Sequence, residues 1–221
     1  MKTDQLIERL VADLKPVARL MDPSERAALW TALALVSITG GLAYFGVRRD
    51  IRAVWLDPGF LARFALLTAT MWLAVVSAFR MAVPGAEPRA LVRWWPVAAL
   101  GVALALLAAD VIVAALVGSV GSPLRAAHCI QKVAFVGLAP ALLAIALVRR
   151  GWAAEPRWTL VLGFLGAGAA GALTAELSCP LHAPLHILLW HLLPVPLFAS
   201  LAVLFGSALA GARSARRSRG R

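Results

Sequence analysis

Six long apolar runs, separated by short segments rich in Arg, Pro, Gly and Trp, dominate the chain: roughly 27–47, 60–79, 94–117, 126–148, 158–177 and 186–209. Each is long enough to cross about 30 Å of hydrocarbon at about 1.5 Å per residue, so each predicts a transmembrane helix. The pattern predicts an all-α, polytopic membrane protein. Its parts are a cytoplasmic N-terminal segment (1–26), a six-helix transmembrane bundle (27–209) and a basic cytoplasmic tail (210–221). The first run starts only after a long charged segment, and no small-residue cleavage site follows it. It therefore reads as a span and not as a cleaved signal peptide.

A different periodicity marks the opening residues. Leu6, Ile7, Leu10, Val11 and Leu14 share one helical stripe, while Asp4, Glu8, Arg9 and Asp13 take the other positions. Pro16 disfavours continuation of this short amphipathic helix, and Asp22, Pro23 and Glu25 then supply a cap, a first turn and a capping box for the next. A helix this short is marginal alone in water, so its stripe needs a surface. The membrane, the protein's own bundle and a groove on a partner are the candidates. Balanced charges gain little from anionic lipid, which favours the groove.

Composition agrees with a membrane protein: 61% of the 221 residues are hydrophobic and 15% charged. A net charge of +11 would suggest nucleic acid in a soluble protein. Here Lys and Arg crowd the short segments between apolar runs, so they read as topology determinants and no direct nucleic-acid contact is expected. One side collects Lys2, Arg9, Lys15, Arg19, Arg26, Arg80, Arg89, Arg93, Arg149, Arg150, Arg157 and the five arginines of the tail. The other holds Arg48, Arg49, Arg52 and Arg125, with Arg63 just inside the second span. The positive-inside rule makes the first side cytoplasmic, both termini included, with Arg48 to Arg52 a local exception. This makes the chain a multi-pass protein surrounded by lipid. Trp30, Trp55, Trp94, Trp95, Trp152 and Trp158 lie near span ends, where amphipathic rings suit the headgroup region.

Within the spans, Gly163, Ala167, Gly171 and Ala175 form a small-residue stripe that lets another helix approach closely, inside the bundle or, in the alternative, across a homodimer. Pro140, Pro194 and Pro196 predict kinks.

Candidate chemistry gathers at the extracytoplasmic end. Cys129 opens the fourth span and Cys179 follows the fifth, with His128, His182, His186 and His191 nearby. Thiolates and imidazoles suit Zn, Cd or Cu(I), and Cys129 and Cys179 with two of His128, His182 and His186 would make a tetrahedral donor set. His182 and His186 are one helical turn apart, though Pro184 between them weakens that geometry. A reversible disulfide, a static disulfide and inert packing are the other readings of the cysteines. Asp110 and Lys132 lie at similar depth on consecutive spans and could pair, because unpaired charge inside a membrane is costly. Glu176 could complete this polar end.

The opening stretch MKTDQLIERLVADLKPV (1–17), the six spans, and single cysteines near the fourth and after the fifth resemble the NrsF family of bacterial membrane anti-sigma factors. The resemblance covers essentially the whole chain. It implies a non-catalytic regulator that holds an extracytoplasmic-function sigma factor at the inner membrane through its N-terminal part. Release follows when metal or oxidative stress is sensed at Cys129 and Cys179. Two other classes compete. A small transporter would use Asp110, Lys132 and Glu176 but lacks paired broken helices. An oxidoreductase would need haem ligands or a Cys-x-x-Cys pair, and neither is evident.

Overall fold

The computed structural model describes residues 3–12, 21–83, 90–121, 128–150 and 155–204, and among these every regular element is helical. The elements are α1 (Thr3–Ala12), α2 (Pro23–Phe45), the short α3 (Ile51–Val54), α4 (Pro58–Met81), α5 (Ala90–Leu116), α6 (Cys129–Arg150), α7 (Pro156–Ser178) and α8 (Pro184–Ile187). α8 runs into a π-turn, Leu188–Leu192, and helix resumes to Leu204. Six segments are long and apolar enough to cross a membrane: α2, α4, Arg93–Leu116, Cys129–Arg149, α7 and Pro184–Leu204. They match the six predicted runs to within a few residues. The predicted end of the last run and the 210–221 tail lie outside the described residues, as do Leu14 and Pro16.

Local chemistry explains where the spans begin. Asp22 N–H donates to the Glu25 carboxylate at 3.2 Å, and Pro23 occupies the first turn of α2, where no N–H is needed. Asp57 caps α4 by accepting from the N–H groups of Gly59 at 3.1 Å and Phe60 at 3.0 Å. α7 and α8 also start on proline.

α7 is the axis of the bundle, buried almost without interruption from Thr159 to Ser178 and packed against α2, α4 and α6. Lipid tails are as apolar as leucine, so close backbone approach rather than water exclusion must hold these helices together. Small residues provide it on several sides at once. A Cβ on Gly171 would overlap the Val133 carbonyl oxygen of α6, and one on Gly166 would stand 3.2 Å from the Met71 carbonyl oxygen of α4. Gly168 meets Val195 of the last span. The stripe is thus used inside the chain. Val36, Leu106, Ile112, Phe135, Leu142 and Leu197 face outward, as lipid-covered surfaces do.

Trp55, Trp94 and Trp95 are exposed near span ends, as expected of interfacial rings. Trp30 is not: it is fully buried, and its indole N–H donates to the Pro140 carbonyl at 2.8 Å, tying α2 to α6. A buried indole needs an acceptor, and the carbonyl presented by α6 provides it. α6 continues through Pro140, whereas Pro194 follows the π-turn, in which Leu193 N–H reaches back five residues to the Leu188 carbonyl at 2.9 Å. Trp152 lies outside the described residues.

Candidate functional site

Cys129 is the first residue of α6, and Cys179 ends α7, so the antiparallel packing of these helices brings together two cysteines 50 residues apart in sequence. Both are buried free thiols with sulfurs 3.5 Å apart. The chain then turns at Pro180–Ala183 into α8, which sets His186 Nε2 3.4 Å from the Cys179 sulfur. His191 completes the group. In an α-helix, residues five apart sit about 140° from each other around the axis. The wider i→i+5 turn at Leu188–Leu192 brings His191 back over His186, and their rings meet edge-to-face with centroids 5.2 Å apart. One donor atom from each of Cys129, Cys179, His186 and His191 lies within 4.8 Å of the others, and all four residues are buried. This is a Cys2His2 group that could hold a metal ion.

Charged residues surround it. His191 Nδ1 is 3.0 Å from Glu176 Oε1, and both side chains are buried. Glu176 Oε2 lies 3.9 Å from Arg63 Nε, and Arg63 Nη1 lies 3.8 Å from Asp110 Oδ2, so a chain of alternating charge links α7, α4 and α5. Lys132 donates to the Ser178 hydroxyl at 3.1 Å and carbonyl at 3.3 Å, with its ammonium 5.5 Å from the Phe45 ring. Above the thiols, Arg48 clasps the loop that carries Cys179. Its backbone N–H donates to the Leu177 carbonyl at 3.0 Å, and its guanidinium reaches the Glu176 carbonyl at 3.3 Å, His182 Nε2 at 2.7 Å and both oxygens of Asp50. The Arg48 guanidinium, helped by His182, holds the Asp50 carboxyl well below the usual carboxylate range.

A family model described as NrsF, negative regulator of sigma F, matches residues 10–210, nearly the whole chain. The chain belongs to the NrsF family. It is therefore a negative regulator of a sigma factor, with a sigma factor as its partner. No curated protein and no solved structure matches it.

Among the residues that the sequence singled out in this NrsF chain, Cys129, Cys179 and His186 are brought together. His128 is exposed and outside the group, and His182 precedes α8 and is engaged by Asp50 at 2.7 Å and by Arg48. His191, which the sequence places at this end without singling it out as a ligand, is part of the group, although straight α-helical spacing would turn it away from His186. Pro194, close behind it, was the available signal of an irregular turn. Asp110 and Lys132 do not pair: Asp110 is half exposed and faces Arg63, while Lys132 turns inward to Ser178. Glu176, expected only to complete the polar end, is its centre. On α1, Ile7 and Val11 are exposed.

Proposed function

We propose that this NrsF protein keeps an extracytoplasmic-function sigma factor inactive at the bacterial inner membrane and lets it go when Cys129 and Cys179 meet metal or oxidative stress. In this reading both termini are cytoplasmic, the stripe of Leu6, Ile7, Leu10, Val11 and Leu14 seats in a groove of the sigma factor, and the cysteines face the extracytoplasmic side. The observation that carries it is the meeting of two remote cysteines, sulfurs 3.5 Å apart, at the bundle end away from the start of α2. A thiol pair at the junction of three spans is well placed to change how those helices pack when its chemistry changes. The exposure of Ile7 and Val11 supports a docking role for α1.

Two measurements test it. The detergent-solubilised chain should co-purify with a sigma factor, and a version lacking residues 1–21 should not. A sigma-dependent reporter should lose its response to stressor in Cys129→Ser, Cys179→Ser and the double variant. Normal induction in the double variant rejects cysteine sensing.

A further inference from the structure

Cys129, Cys179, His186 and His191 come from three segments: the start of α6, the end of α7, and the stretch spanning α8 and the π-turn. Bond lengths to zinc of about 2.3 Å for sulfur and about 2.05 Å for nitrogen give tetrahedral edges of about 3.8 Å between sulfurs and about 3.6 Å between sulfur and nitrogen. The observed sulfur–sulfur distance is 3.5 Å, and the Cys179–His186 distance is 3.4 Å. Both fall slightly short of those edges, so small side-chain movements would admit one ion among the four donors.

The histidines add an independent observation. His191 is 1% exposed; its Nδ1 is engaged by Glu176, and its Nε2 is buried without a hydrogen-bond partner. A buried ring nitrogen that makes no hydrogen bond is costly, and a metal bond removes that cost. A carboxylate on the far nitrogen of a ligating histidine fixes its tautomer and raises its basicity. Glu176 holds that position, and Arg63 stands beside its other oxygen.

We infer that Cys129, Cys179, His186 and His191 form a four-coordinate site for one divalent d10 cation, Zn2+ or Cd2+, with Glu176 positioning His191. Sulfur donors exclude Mg2+ and Ca2+, and tetrahedral geometry disfavours Cu2+. Charge selects among the rest. Each thiol gives up its proton on binding, so one M2+ enters and two H+ leave. Two thiolates and M2+ sum to zero, the least costly charge for a buried site, whereas Cu(I) would leave a net anion beside Glu176. As an account of the inducing signal this rests on the sensor role proposed above; as a binding site it does not.

The test uses the full chain in detergent with reduced thiols, titrated with CdCl2, and then with CoCl2 as a visible reporter of geometry. One Cd2+ per chain, sulfur-to-metal charge-transfer absorption, the intense visible bands of tetrahedral Co2+, and X-ray absorption at the cadmium edge counting two sulfur and two nitrogen neighbours are the expected results. The edge measurement needs no variant and so does not depend on any substitution folding. Glu176→Gln should weaken binding about 10- to 100-fold at unchanged stoichiometry. His191→Ala should remove a nitrogen neighbour, while His128→Ala and His182→Ala leave affinity unchanged. Absence of binding by the reduced protein, or a donor set without nitrogen, overturns the inference. A protein that binds no Cd2+ yet loses reporter induction in the double cysteine variant keeps the sensor role and loses this site. One that binds Cd2+ while that variant induces normally keeps the site and loses the sensor role.

Discussion

At the scale of single residues, the positions of consequence are those where a side chain serves two elements. Trp30 fills the contact between α2 and α6 and satisfies the Pro140 carbonyl at 2.8 Å. Trp30→Phe should keep most of the packing and lose about 1 kcal/mol through the missing hydrogen bond, read as a lowered melting temperature in detergent. Gly171 leaves less freedom, since a Cβ there would overlap the Val133 carbonyl oxygen. Gly171→Ala must push α6 from α7 and should cost about 1–3 kcal/mol, whereas Gly40→Ala, with open space around it, should cost far less. Similar melting of the two variants would show that α6 and α7 are not closely packed there. Such positions were only partly legible. The small-residue stripe could be read from spacing alone, but which neighbour each glycine faces depends on three helices at once. Trp30 resembled an interfacial ring because a span end on the sequence need not be a surface in the fold.

At the scale of elements, Trp30 ties the first half of α2 to α6, and Arg48, just past the end of α2, ties the chain to the end of α7 and to His182 in the loop after it. Since α2 follows the proposed sigma-binding segment, Arg48 joins that helix to the cysteine loop. Arg48→Ala should retain sigma-factor capture but blunt the response to stressor; full induction would remove Arg48 from the route. The Arg48 to Arg52 cluster, an anomaly by the positive-inside rule, thus contains a structural arginine in Arg48. The pH dependence of the clasp follows from Asp50. Its carboxyl titrates below the unfolded value of about 3.9, so the stabilisation is complete at neutral pH and fades as pH falls below about 4. The melting-temperature difference between the wild type and Asp50→Asn should therefore shrink on acidification from about pH 7 to about pH 3. The elements were the most legible part of the fold, because a bilayer demands one long apolar run per span and allows few alternatives. The ligand set was less legible. Cys129, Cys179 and His186 follow from proximity to one membrane face, but His191 enters only through the wide turn at Leu188–Leu192.

For the whole molecule, one buried axis helix contacts α2, α4 and α6, and its C-terminal end carries both Glu176 and Cys179. Any change at the thiols therefore acts on the best-packed helix, which cannot shift without disturbing its neighbours. Orientation can be tested directly. Reporter fusions after residue 204 should be active on the cytoplasmic side, and fusions in the segment 118–127 on the other; the opposite pattern would overturn the proposed sidedness. The π-turn has a consequence for how this gene can change. Because the meeting of His186 and His191 depends on one surplus residue in the turn and not on the identity of its leucines, substitutions at Leu188 or Leu189 should be tolerated by the cluster. Loss of one codon between them and His191 should scatter its donors while leaving every ligand residue encoded. Among natural homologues, the length of this stretch should therefore vary less than its spelling.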